Sequence, residues 1–286
     1  MPESLRRRTV RTVRAVSAAI AAPPWMPPGH FYSPLTAATD VKRALDWKRT
    51  PGRDRVPGVD LREAEQLALA IDLAEELDKP LAGPRYPSGH TQWFCAADAA
   101  VYRSMLWRHK PRRVMEIGSG FSTAVALDTL DRSVELTCVE PYPDRMLSLL
   151  RPEDSDRLTL LRSPVQDVPL EAYARLEAGD VLFIDSTHVA KAGSDVIWLF
   201  LQVLPRLAPG VIVHIHDIFW PFDYPDEWLR EGRDWTEAYF LHAFLAGNSG
   251  YEILLFSSWL WQEHPELVPA PLATDAPGSI WLRRAG

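Results

Sequence analysis

Two groups of residues in this sequence have the types and the spacing to do chemistry. The first is Glu116-Ile117-Gly118-Ser119-Gly120, which closes a short apolar run. Gly118 and Gly120 permit a tight backbone turn and close approach to a ligand. A helix expected from about Phe121-Ser122 aims its free N–H groups at that ligand, and Ser119 and Ser122 lie beside it. The next apolar run ends in Glu140, an acid placed to accept two ribose hydroxyls. Thr123 stands where a dinucleotide fingerprint carries its third glycine or alanine, which disfavours NAD. Glu116 would repel a pyrophosphate but suits the amino-acid end of a cationic sulfonium ligand. Asp167, after the following run, is either a contact for an adenine amino group or a solvated loop aspartate. The nucleotide these residues favour is S-adenosylmethionine.

The second group sits at two later run ends, Ile184-Asp185-Ser186-Thr187-His188 and His214-Ile215-His216-Asp217. If both runs are strands of one parallel sheet, their ends meet at the edge where ligands bind. Asp185, Asp217 and His216 then form a candidate divalent-metal set. Oxygen ligands suit Mg²⁺, and an added imidazole shifts the preference toward Mn²⁺, Fe²⁺ or Zn²⁺. In a second reading the carboxylates orient histidines, and His188 is a metal-free general base. A third is bland: the histidines only satisfy buried hydrogen bonds. Two acids and two histidines at paired strand ends favour function. A rival set drawn from Asp185, His188, His214 and His216 would hold Fe(II) for oxygen chemistry.

The elements that must position these residues follow from periodicity. Short β-rich runs are expected as strands at 114–117, 136–139, 158–161, 181–184, 211–215, 251–256 and 279–282. Helices are expected between them at 122–130, 145–150, 195–207 and 235–246. That alternation predicts an α/β fold: a Rossmann-like, seven-stranded, mostly parallel sheet with helices on both faces. Ahead of it, Asp60 with Glu63 reads as a capping box opening a helix whose apolar face is Leu67, Ala70, Ile71, Ala74 and Leu77. A second helix is expected over about 96–107. The predicted domains are a basic arm (1–28), an N-terminal helical and loop cap (29–95), and the nucleotide domain (96–286).

Composition narrows the partners. The net charge is −7, and five arginines crowd residues 6–14, so the remaining body is more acidic still. No broad basic face for nucleic acid is expected, and a small neutral or cationic substrate suits the charge. Cys95 and Cys138 have no ligand spacing and fit buried thiols in a reducing cytoplasm. No membrane span is expected. The alanine-rich run after the arginines is too short for a secretory signal and reads as an amphipathic helix or docking arm. The arm leaves room for a homo-oligomer. His30 and Tyr32, in Gly29-His30-Phe31-Tyr32-Ser33-Pro34, are expected in a lid over a pocket or as an anchor to the core. The aromatic-rich segment 219–235, with Trp220 and Tyr224, is expected to wall that pocket or to pack against the cap or a second subunit.

Together, Glu116-x-Gly118-x-Gly120, Glu140 and the strand-end Asp185 resemble the successive motifs of class I S-adenosylmethionine-dependent methyltransferases, over roughly residues 95–286. The resemblance implies a sheet whose last strand, near Ser279–Leu282, runs antiparallel. It places Glu116, Gly118 and Gly120 at the methionine end of the cofactor and Glu140 at the ribose. The pattern is closest to metal-dependent small-molecule O-methyltransferases of the catechol, macrocin and cephalosporin-pathway types. In those an acid ends strand four and an acidic or amide pair ends strand five, which Asp185 and Asp217 match. His216 stands where relatives carry another oxygen ligand. His188 occupies the position of the catechol-type catalytic lysine, and Lys191 is the nearest substitute. The implied activity is methyl transfer to a hydroxyl, or less readily an amine, of a small molecule. A binding subunit without catalysis is the non-enzymatic alternative.

Overall fold

The computed structural model describes residues 25–52, 56–81, 85 and 93–286. The expected arginine-rich arm lies outside the described residues up to position 24. The chain divides into two compact units, Met1–Pro51 with Asp226–Asp234, and Gly52–Pro225 with Trp235–Gly286. The expected boundaries at 28/29 and 95/96 do not coincide with this division. In the first unit, α1 (Ala38–Lys48) and a short helix, Asp226–Arg230, are joined by a 2.6 Å ion pair from Lys48 to Asp226. Thr36 N–H also donates to Asp234 there, at 3.1 Å.

The second unit holds the sheet and both candidate groups. In chain order its main elements are α2 (Glu63–Leu77), α3 (Ala96–His109), β1 (Arg113–Ile117), α4 (Phe121–Thr129), β2 (Glu135–Val139), α5 (Asp144–Leu149), β3 (Leu158–Leu161), β4 (Val181–Ile184), α6 (Asp195–Trp198), β5 (Ile212–His216), α7 (Glu237–Leu245), β6 (Tyr251–Phe256), α8 (Ser257–Glu263) and β7 (Ser279–Arg284). The seven strands lie in the order β3-β2-β1-β4-β5-β7-β6. β7 is inserted antiparallel between β5 and β6, which is the reversed strand expected from the resemblance. β4 is buried at every residue and reads as a continuous apolar run; β5 is buried at every residue too, although it carries His214 and His216.

Three local expectations need correction. α2 begins at Glu63 with Arg62 ahead of it in the left-handed region (φ 52°), and Asp60 accepts the Arg62 N–H instead of capping the helix. The buried residues of α2 are Gln66, Ala70, Leu73, Glu76 and Leu77, whereas Ile71 is 64% exposed. Gln66 was invisible to an apolar pattern, yet it is fully buried because its amide bridges Leu61 O (2.5 Å) and Phe256 N–H (2.7 Å). Finally, the helix expected over 195–207 is α-helical only through Trp198, then widens to a π-helix at Leu199–Val203 and tightens at Leu204–Arg206. Pro205 has no N–H to continue an α-helical ladder.

One glycine sets how closely β1 and β4 approach past their last paired residues. Ile117 pairs with Ile184, and the chain then turns at Gly118 with φ 81°. A Cβ there would lie 2.2 Å from the Asp185 carbonyl oxygen. Gly118→Ala combines a left-handed backbone with a backbone clash. It is expected to lower stability by at least about 2 kcal/mol, read as a lower urea midpoint at unchanged m-value. A wild-type midpoint would contradict this packing.

Candidate active site

The glycine turn is held from three sides. Gly118 N–H donates to Val139 O (3.1 Å), and Asp185 N–H donates to Ile117 O (2.8 Å). Glu140, half-buried just past β2, accepts from Ser119 N–H (3.2 Å) and Tyr142 N–H (2.8 Å). The Ser119 hydroxyl is buried with no hydrogen-bond partner. Gly120 N–H donates to the Thr123 hydroxyl (3.1 Å), which in turn donates to Glu116 (2.6 Å).

Glu116 is fully buried and is engaged from inside the fold. The Tyr102 hydroxyl donates to it at 3.0 Å, Thr123 at 2.6 Å, and Ser122 lies beside it. Burial pushes its carboxyl up to about 7, against the hydrogen bonds from Thr123 and Tyr102. Thr123, which argued against a dinucleotide, is thus the link that ties the acid to the turn. Asp167 is exposed at the end of the short turn Val165–Asp167.

The second group converges at the ends of β4 and β5. His188 Nε2 lies 3.4 Å from Asp185 and 3.5 Å from Asp217. One ligand atom from each of Asp185, His188 and Asp217 falls within 4.8 Å of the others. His188 and Asp217 both adopt left-handed backbone (φ 61° and 56°), a conformation uncommon for side-chain-bearing residues and concentrated at functional sites. For His188 the surroundings over-determine it. Its N–H donates to Ser186 Oγ (3.1 Å), and its carbonyl accepts from Thr236 (2.8 Å) and Glu237 (3.1 Å). Its ring lies 4.3 Å from that of Trp235.

Sequence reasoning missed Glu237. It opens α7, is fully buried, and lies 2.8 Å from His188 Nδ1. Its other contact is the Ser186 hydroxyl, at 3.0 and 3.1 Å to its two oxygens. A glutamate in the first turn of a helix reads only as a favourable charge near the helix dipole, so the sequence carried no sign of this contact.

His216 does not complete the triad as expected. Its Nε2 is 3.9 Å from Asp217, and its ring packs 5.2 Å from Phe94 and 5.7 Å from His214. His214 stacks on Phe183 at 4.2 Å, and neither of its ring nitrogens has a partner. The two histidines do alternate onto one face of β5, but that face is covered by aromatic rings. Among the described residues, the ligand atoms that converge are those of Asp185, His188 and Asp217, with His188 supplying the imidazole. Lys191 is exposed.

Charge in this cluster is strongly coupled. Burial pushes Asp217 up to about 6, although His216 and His188 oppose it. Burial also acts on Asp185, but the His188 hydrogen bond and the charge of His216 outweigh it and hold Asp185 below its usual range. For His188, burial opposes protonation, yet Asp185, Glu237 and Asp217 together raise its basicity well above normal. Burial drives His214 the other way, toward the neutral form.

Of the aromatic segment, Trp220 and Tyr224 are buried. Trp220 is 8% exposed, with its indole N–H on Glu263 (3.0 Å), and Tyr224 is 1% exposed, its hydroxyl accepting from Ala238 N–H (3.0 Å). His30 and Tyr32 belong to the first unit. There they cluster with the exposed rings of Trp25 and Phe31. Among the described residues no helix is long and apolar enough to cross a membrane.

Residues 115–218 match the family described as "Methyltransferase domain". An uncharacterized protein of Archaeoglobus fulgidus is 32% identical over 167 residues, covering 53% of this chain and 73% of that protein. Two solved structures are similar at lower identity. One is the O-methyltransferase TomG of Streptomyces achromogenes, in complex with SAM (18% identity, 83% of this chain and 100% of that one, TM-score 0.46). The other is an SAH-bound methyltransferase of Podospora anserina (15% identity, 92% of this chain and 99% of that one, TM-score 0.46). Residues 115–218, the stretch that carries the glycine turn and the ends of β4 and β5, thus form a methyltransferase domain.

The Glu116 environment makes a pH prediction. Its carboxyl is raised from 4.5 to about 7 in the fold, so the native state holds an extra proton between those values. The associated stability is fully present below the lower pH and is lost as pH rises through the upper one. That loss is on the order of 3 kcal/mol. Urea unfolding of Glu116→Gln from pH 4.5 to 8 is expected to show a flatter stability profile than wild type. Parallel profiles would place the titration elsewhere.

Proposed function

We propose that this protein transfers a methyl group from S-adenosylmethionine to a hydroxyl of a small molecule, with a divalent cation held by Asp185, His188 and Asp217. The observation that carries this reading is the contact between the glycine turn and the acid: Gly118 abuts the Asp185 backbone so closely that a Cβ would overlap its carbonyl. A cofactor seated on the turn and an acceptor seated on the triad are therefore neighbours.

Both groups fit the residues present. The orphaned Ser119 hydroxyl, the glycine backbone and the half-buried Glu140 offer a nucleotide a donor, room and a ribose acceptor. Ligand atoms bound at about 2.0–2.2 Å to one ion stand roughly 3.0–3.5 Å apart, and the His188 distances of 3.4 and 3.5 Å fall in that range. When bound, the sulfonium supplies an activated methyl group, and the cation lowers the pKa of the acceptor hydroxyl.

The chain's own residues do the positioning. Asp185 and Asp217 supply two carboxylates, and His188 offers Nε2 while Glu237 occupies Nδ1. A mixed nitrogen and oxygen set favours Mn²⁺, Fe²⁺ or Zn²⁺ over Mg²⁺. Holding oxygen and methyl carbon in line removes much of the entropic barrier. A second reading keeps the same methyl transfer but uses His188 as a metal-free base. The Glu237 carboxylate at Nδ1, which orients the ring, is the observation that favours that alternative.

Calorimetry should show binding of S-adenosylmethionine, and S-adenosylhomocysteine should be released when hydroxyl-bearing small molecules are supplied. Asp217→Asn is expected to lower kcat at least about 100-fold while leaving cofactor affinity within about threefold. Chelation by EDTA should abolish activity, and Mn²⁺ should restore it. Full activity in EDTA would select the metal-free base, and no cofactor binding at millimolar concentration would overturn the assignment.

A further inference from the structure

His188 can meet a cation through only one ring nitrogen, and the fold decides which. Nδ1 lies 2.8 Å from Glu237, a carboxylate with no exposed surface. Nε2 faces Asp185 and Asp217. The backbone around the ring is fixed by the same pair of segments, since the His188 carbonyl accepts from both Thr236 and Glu237 N–H. Ser186 completes the enclosure: its hydroxyl meets the Glu237 carboxylate and accepts the His188 N–H. Histidines that bind metals commonly donate their remote N–H to a carboxylate, which sets the tautomer and makes the ligating nitrogen a better donor.

We propose that Glu237 is the positioning residue of the metal site. It holds His188 with the proton on Nδ1 and the lone pair of Nε2 turned to the carboxylates. The inference rests on the metal reading above and sharpens it: the site selects a cation that accepts imidazole, Mn²⁺ or a later transition metal, against Mg²⁺. Without Glu237 the ring loses the group that fixes its orientation, and the two remaining carboxylates form an oxygen site that no longer discriminates strongly.

The test is metal binding by the full-length protein, by calorimetry with MnCl₂ and MgCl₂ and by the electron paramagnetic resonance of Mn²⁺. Glu237→Met is the primary variant and Glu237→Gln the conservative one, because an amide oxygen can still accept from Nδ1. Glu237→Met is expected to weaken Mn²⁺ binding about 10- to 100-fold, with Mg²⁺ affinity changed much less, so that the Mn²⁺/Mg²⁺ preference collapses. Glu237→Gln should retain most of the preference. In wild-type protein labelled with ¹⁵N-histidine, His188 should show the Nδ1–H tautomer in the apo state at high pH, and Glu237→Met should lose that signature. If Glu237→Met does not fold, the Gln variant and the wild-type tautomer decide the matter. Unaltered Mn²⁺ preference in a folded Glu237→Met protein overturns the role of Glu237 and leaves the acids as ligands. A wild-type Nε2–H tautomer does the same. Failure of wild type to bind either cation, with S-adenosylmethionine still binding, overturns the metal reading itself.

Discussion

The arrangement depends on one close approach, between Gly118 and the backbone of Asp185. β1 and β4 are parallel neighbours in register, and each ends at the same level of the sheet. Past that level β1 must turn away to begin α4, while β4 continues outward with an acid. Only a residue without a Cβ makes the turn at this spacing, because the first side-chain atom would coincide with the Asp185 carbonyl. The turn's amides and the acidic edge are thereby set side by side. The buried network of Tyr102, Thr123 and Glu116 then braces the turn from beneath.

Beyond that edge the fold gathers a dense set of ionisable groups around His188. Three carboxylates surround one imidazole, and two of the participating residues carry left-handed backbone. Such strain persists only where several contacts hold it, and for His188 those contacts come mainly from Ser186 and the start of α7. Burial opposes charge on Asp185, Asp217 and His188, and their mutual attraction acts against it. Further in, His214 is stacked on Phe183 within an aromatic core, while His216 packs on Phe94 and still reaches Asp217 with its Nε2 at 3.9 Å.

Much of this was legible in the sequence, for identifiable reasons. The strands are short β-rich runs, so all seven were apparent, and chemistry in the parallel part of such a sheet sits where those runs end. That logic located Gly118, Glu140, Asp185, His188 and Asp217. It failed where the answer depends on which covering layer a face meets. The alternation of β5 correctly placed His214 and His216 together, but nothing local showed that aromatic rings from three other elements would cover them. Glu237 lies far along the chain on a helix with an ordinary acidic first turn, and its partnership with His188 is purely tertiary. Gln66 escaped notice because a buried amide bridging two backbone groups breaks the apolar pattern that defines a helix face. Trp220 and Tyr224 misled in the opposite sense, since dense aromatics mark a core as readily as a pocket.

The central claim is that one sheet edge brings a nucleotide turn and a metal triad into contact. Crystals grown with S-adenosylhomocysteine and MnCl₂, measured at a wavelength where manganese scatters anomalously, test it most directly. The account predicts an anomalous peak within bonding distance of Asp185, His188 Nε2 and Asp217, with the nucleoside lying across Gly118–Gly120 and its ribose on Glu140. Ordered nucleoside at the turn with no manganese at the triad, or manganese bound elsewhere, would contradict it.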